Sequence, residues 1–243
     1  MDAQPTQSMP SKEDFFSSFS YEKEIERVKW YKDDLDKGGW KEVHRSPGHV
    51  YWMKTFPEDE VPINVLSLVD LPISAEMYME LLDPKNLDKR KKWDKTFVDH
   101  EVLETYPDDR GVIRFMRYPT PFPLCDRSFV LFFPPLKEVD WYGKRAFIQF
   151  QKNAWHPSKP EGADGLVRAT NGGNFVVIIP DETNPTEACT VFNLSTNNYN
   201  GWVPNKHIEW IVGRKVPASF HQFLASMVEG HEKYFKQKKL FKI

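Results

Sequence analysis

The sequence predicts an α+β domain in which about nine short antiparallel strands form a curved sheet closed by one long C-terminal helix. Two observations carry this. Between Trp40 and Ser195, β-branched and aromatic runs are separated by turn-forming stretches such as Ser46-Pro47-Gly48, Tyr106-Pro107-Asp108-Asp109-Arg110 and Asn171-Gly172-Gly173-Asn174, the pattern of strands joined by hairpins. From Pro217 to about Lys238, Phe220, Phe223, Leu224, Met227, Val228, Tyr234 and Phe235 mark one stripe, with Gln222, Ser226, Glu229 and Lys233 on the other face, which is the period of an amphipathic helix. A curved sheet closed by a single helix leaves a cavity wherever side chains do not fill the space between them.

In chain order, Ser11-Lys12-Glu13-Asp14 has the form of a helix start, and Tyr21, Ile25, Val28 and Leu35 recur at near-helical spacing up to Gly38-Gly39. Residues 40–45 and 50–56 make the first hairpin, and 63–69 the third strand. Ser74 opens a short helix that stops before Pro84. Residues 97–105 and 111–116 pair as middle strands, and residues 145–152, 166–170, 175–179 and 188–195 complete the sheet. The stretch Asn171-Gly172-Gly173-Asn174 lies between two strands and reads as a hairpin turn rather than a phosphate-cradling loop.

The strongest signature is the run from Tyr118 to Val130. Three prolines in five residues, Pro119, Pro121 and Pro123, hold the segment extended. It then delivers Asp126 and Arg127 into the apolar strand Ser128 to Phe133, which Pro134-Pro135 closes. Arg127 at the mouth of such a strand needs a partner, Asp126 or another acid, and reads as a structural clasp.

A proline-flanked P-F-P followed by D-R-S-F-V is similar to the hallmark of the START (StAR-related lipid transfer) domain, with Ser128 where the family usually carries aspartate. Trp93-Asp94, Val167-Arg168, Gly201-Trp202-Val203-Pro204 and the final helix fall in the family's order over roughly residues 20–238. The resemblance implies a helix-grip fold around a hydrophobic cavity, with Trp93, Asp94, Pro123, Asp126 and Arg127 as its structural motif. It divides the chain into a disordered segment at 1–12, one lipid-binding domain at 13–238 and a tail at 239–243.

Lys89-Arg90-Lys91-Lys92 reads as a solvated basic turn. The resemblance adds a second reading: Arg90 stands three residues before the W-D pair, where a phospholipid-carrying member of the family has an arginine that meets the lipid phosphate. Family members can also hold an ion pair in the cavity, an acid thirteen residues before the motif arginine and an arginine six after it. Here those places hold Arg114 and Phe133. That pair cannot form, so a buried Arg114 would favour a ligand bringing a negative group unless Glu101, Glu104 or another acid reaches it. The expected cavity residues are Arg90, Arg114, Met116, Phe129, Leu131 and Phe133, then Phe192 and Trp202, and from the helix Phe220, Phe223, Leu224 and Met227.

Composition narrows the function. A net charge of −2 over 243 residues leaves no nucleic-acid footprint. Cys125 and Cys189 have no CxxC or histidine spacing, so no disulfide framework and no metal site is expected. None of the seven histidines falls in HExxH or beside a cysteine in a recognisable way, and no G-x-S-x-G elbow occurs. The N-terminus has no apolar core of a signal peptide, and no run of 18 apolar residues occurs. Past the helix, Lys236, Lys238 and Lys239 interleave with Phe241 and other apolar residues, which suits an anionic membrane surface as well as a frayed tail. The expectation is a cytoplasmic, monomeric, non-catalytic carrier of one lipid, phospholipid or sterol or a relative of these. It needs no cofactor and makes transient membrane contact. The alternatives are a cavity enzyme acting on a hydrophobic ester and a ligand-dependent sensor.

Overall fold

The computed structural model describes residues 19–96, 98–107, 110–120, 125–162, 165–201 and 216–235. The chain divides between Gly39 and Trp40 into two compact units. In the first, helix α1 (Tyr21–Asp36) begins behind Ser20, whose hydroxyl accepts from the Lys23 amide at 3.4 Å. The start expected at Ser11 lies outside the described residues. Gly38 and Gly39, both at φ near +90°, end the segment in a conformation that favours glycine.

The second unit opens with β1 (Lys41–Ser46), β2 (His49–Thr55) and β3 (Ile63–Leu71). Ser74 then caps α2 (Ala75–Leu82) by accepting from the Met77 amide at 3.1 Å. A 3-10 turn at Pro84–Asn86 leads into α3 (Leu87–Trp93). The basic run expected as a turn is thus helical. Arg90 and Trp93 face inward from it while Lys91 and Lys92 stay exposed, because residues three apart share a helix face.

The middle strands are β4 (Asp99–Thr105), β5 (Val112–Tyr118) and β6 (Arg127–Phe133), followed by β7 (Lys137–Trp141), β8 (Lys144–Phe150), β9 (Lys152–Asn153), β10 (Val167–Arg168), β11 (Thr170–Asn171), β12 (Phe175–Pro180) and β13 (Cys189–Asn198). Helix α4 (Val216–Tyr234) ends the described chain. Among the described residues the strands form two sheets, where one of about nine strands was expected. One runs β1-β2-β3-β13-β12-β8-β7 with β11 also on β13; the other runs β10-β6-β5-β4 with β9 on β6. Prolines at 134 and 135 lack the amide that a continuous ladder from β6 into β7 would need. All pairings are antiparallel except β10 on β6.

Two local expectations change. The strand anticipated at 166–170 splits at Ala169, so that Val167 and Arg168 pair with β6 while Thr170 and Asn171 pair with β13. One extended segment therefore links the two sheets. The anticipated hairpin at 171–174 is instead a kink, because β11 and β12 both pair with β13 and not with each other.

Helices α2, α3 and α4 cover one half of the larger sheet. Leu81, Trp93 and Met227 pack there with Val69, Ile178 and Val191. Gly230 of α4 lies flat against the Trp93 ring, where a Cβ would come within 2.4 Å of Cγ.

Candidate functional site

Beyond this packed half, the two sheets, α2 and α4 line a cavity of about 730 Å³ that the described residues enclose only in part. The smaller sheet supplies a mainly apolar wall: Met116, Phe129, Leu131 and Phe133 point into it on alternate positions of β5 and β6. Phe220 and Phe223 of α4 close it from above, and Tyr78, Met79 and Leu82 from α2. The larger sheet contributes a polar strip, with Gln149 and Gln151 on β8 and its continuation and Asn193, Ser195 and Asn197 on β13. At one end of the strip Asn197 Oδ1 accepts from Asn171 and Asn174 at 3.2 and 3.3 Å, and its amide donates to the Ser195 hydroxyl at 2.9 Å.

Arg114 is the distinctive charge. It is 3 % exposed and lines the cavity, with its guanidinium carbon 4.2 Å from the centre of the Phe133 ring. Its Nε makes no hydrogen bond, and no carboxylate pairs with it among the described residues. Glu101 pairs with Lys159 at 2.9 Å and Glu104 with His156 at 3.7 Å, so neither acid reaches it. Burial, and next the charge of Arg90, pull its pKa down to about 9. A buried cation in this state costs on the order of several kcal/mol.

Arg90 also lines the cavity, yet its Nε donates to Asp94 Oδ2 at 2.8 Å, and the other Asp94 oxygen accepts from the Thr96 amide and hydroxyl. Trp93 and Asp94 of the motif therefore have distinct roles, a seat for α4 and a clamp on Arg90. Burial dominates the cavity tyrosines too: it raises the pKa of Tyr118 to about 12, and those of Tyr78 and Tyr199 also rise.

Arg127 is a clasp, with partners other than those expected. Its guanidinium donates to the carbonyls of Cys125, Tyr199 and Asn200, tying the start of β6 to the end of β13. Asp126 instead takes Arg117 at 2.8 Å, because adjacent residues of a strand point to opposite faces. Ser128 accepts from Arg168 Nε at 3.0 Å, so a hydroxyl stands where an ion pair would need a carboxylate.

Three expected cavity residues are placed elsewhere. Phe192 faces away from the cavity, its ring 5.9 Å from Trp141 and 5.8 Å from Phe175. On β13 the polar alternation lines the cavity and the apolar one is packed, the reverse of the usual inference. Leu224 and Met227 belong to the core between α4 and the larger sheet and do not line the cavity. Trp202, Pro123, Lys236, Lys238, Lys239 and Phe241 lie outside the described residues. The sequence reading missed the β13 strip, whose signal was the alternation Asn193, Ser195, Asn197, and it missed Tyr78 and Met79, which carry no distinctive spacing.

The fold and site define a class: a helix-grip protein whose long C-terminal helix roofs an internal cavity between sheets. A START domain family model matches residues 20–233, and the chain belongs to that family. With membership goes lipid binding in general terms. Among solved structures, human StAR-related lipid transfer protein 5 superimposes with a TM-score of 0.71 at 16 % identity, covering 92 % of this chain and all of that one. Human STARD10 gives 0.65 at 17 % identity over 98 % of this chain and 87 % of that one. Human StarD13, in its lipid transfer and protein localization domain, gives 0.59 at 16 % identity over 84 % and 94 %. At such identities the likeness speaks for the fold. No curated protein sequence is detectably similar.

Proposed function

We propose that this protein holds one hydrophobic ligand in the cavity and exchanges it at membrane surfaces without chemical turnover. The observation that supports this most is the roofed cavity of about 730 Å³ with Met116, Phe129, Leu131, Phe220 and Phe223 on its walls. Burying roughly 500 Å² of apolar ligand there offsets about 12 kcal/mol of exposure to water, enough to make a lipid mobile in water as a protein complex. No helix among the described residues is long and apolar enough to cross a membrane.

The cavity's chemistry favours carriage over catalysis. Its described lining contains no histidine, cysteine, aspartate or glutamate. General bases and nucleophiles also come from lysine or from a lowered phenol; the lysine of the lining, Lys95, is exposed and donates to the Lys92 carbonyl at 3.1 Å, and the cavity tyrosines shift upward. Movement of α4, which carries Phe220 and Phe223 over the cavity, would widen the path for ligand exchange.

The test is transfer between vesicles. Donor dioleoylphosphatidylcholine vesicles would carry pyrene-labelled phosphatidylcholine, dehydroergosterol or a pyrene-labelled fatty acid in parallel sets. The proposal expects substoichiometric protein to accelerate transfer of at least one probe to unlabelled acceptors. Unchanged rates for all three would overturn it.

A further inference from the structure

We infer that the cavity is built for an amphiphile with a single anionic head, a carboxylate or a phosphate monoester, whose head seats on Arg114. This rests on the carrier reading and names the ligand class within it.

The first argument is charge. The described lining carries four cations and no carboxylate: Arg90, whose Nε is held by Asp94 at 2.8 Å, Arg127, which donates to three backbone carbonyls, the exposed Lys95, which donates to the Lys92 carbonyl, and Arg114. Arg114 is the buried cation of this set that has neither a carboxylate partner among the described residues nor a hydrogen bond at Nε. The Phe133 ring at 4.2 Å offers Arg114 its π face, and a ring face is a weak partner beside a carboxylate. The Nε without a hydrogen bond is a donor for which the described protein supplies no acceptor. A guanidinium presents paired donors that match two oxygens of a carboxylate or phosphate.

The second argument is placement. Arg114 sits in mid-strand, paired with Val102 and Leu131, and its nearest neighbours on the same face are Val112 and Met116. No route along those side chains leads it to solvent, and it is 3 % exposed. An arginine that served solubility would snorkel outward. This one is held where the rest of the wall, Phe129 and Leu131 included, is apolar, so a head bound here has its apolar body in contact with the same wall.

The third argument is size. A cavity of 150 Å³ takes benzene, about 25 Å³ for each heavy atom, so 730 Å³ has room for about 29 heavy atoms. That is one acyl chain with a small head, or a body of similar bulk. Two full acyl chains with a glycerol and a headgroup exceed it. On the larger sheet, Gln149 and Asn193 line the cavity with side-chain amides that can donate to further head oxygens.

The experiment compares oleate, 1-oleoyl lysophosphatidate, methyl oleate and inorganic phosphate on the whole chain, by isothermal titration and by thermal shift. Oleate or the lysophosphatidate should bind at least about tenfold more tightly than methyl oleate, the size of one charge-assisted hydrogen bond; which of the two binds tighter identifies the head. Inorganic phosphate should bind far more weakly than either. In Arg114→Met the acid-to-ester preference should fall to near one, and Arg114→Lys should restore part of it. The ligand-free melting temperature of Arg114→Met should equal or exceed that of the wild type, because an unpaired buried cation has been removed. Equal affinities of wild-type protein for oleate and methyl oleate would overturn the inference while leaving the carrier intact. So would a preference that survives Arg114→Met, or phosphate alone binding as tightly as the amphiphiles. Failure of oleate, the lysophosphatidate and methyl oleate alike to bind, with phosphatidylcholine or dehydroergosterol still transferred between vesicles, would also overturn the inference and leave the carrier intact; only their failure together with unchanged transfer of every probe would overturn the carrier reading.

Discussion

His100 lies on β4 with no solvent exposure, and burial together with the charges of Arg90 and Arg114 pushes its pKa down to about 2. Its imidazole is therefore neutral in the folded protein throughout the ordinary pH range, while in the unfolded chain it takes up a proton below about 6.5. Between these values the unfolded state binds one more proton, so stability is present above pH 6.5 and is lost as pH falls, by roughly 1.4 kcal/mol per pH unit from this residue. Urea unfolding over a pH series should show that slope, and His100→Leu should make it shallower; parallel slopes for the two proteins would contradict the assignment. The residue scale is also where sequence reading was least secure. Arg114 was legible as a base in an apolar strand because its neighbours Val112 and Met116 announce the face. The partner of Arg127 was not: three backbone carbonyls, two of them more than seventy residues away, leave no trace in side-chain identity.

At the scale of elements, the contact between α3 and α4 fixes the roof. Gly230 permits it, since a methyl group there would meet the Trp93 ring at 2.4 to 2.8 Å. Gly230→Ala should therefore destabilise by about 1–2 kcal/mol, overpacking outweighing the gain in helix propensity. It should also raise amide exchange across residues 216–235, measured by mass spectrometry; stability equal to or above wild type would contradict this. Strands and helices with strong periodicity, such as β2, β3, α2 and α4, stand close to where their patterns place them. β8 was read at 145–152, but β7 and the turn that joins it to β8 were missed, because that turn carries Tyr142 at φ 53° ahead of Gly143 at φ 83°. A tyrosine in the left-handed region does not advertise a turn as asparagine would. Phe192 was misplaced for a related reason. Alternation tells which residues share a face, and whether that face meets packed side chains or a polar cavity is decided by the other sheet.

At the scale of the molecule, the α+β class, the closing helix and the cavity were readable from strand count, the terminal stripe and the Pro119 to Val130 signature. The division into two sheets was not, because it depends on which strand each short segment joins. The central claim is that one hydrophobic ligand occupies the cavity. Native mass spectrometry of protein purified without detergent, followed by analysis of its organic extract, tests it most directly. The account predicts a complex of one chain with one ligand, lost on denaturation and recovered in the extract as a single class of amphiphile. A bare chain that also takes up nothing from dioleoylphosphatidylcholine vesicles doped with oleate and cholesterol would contradict it.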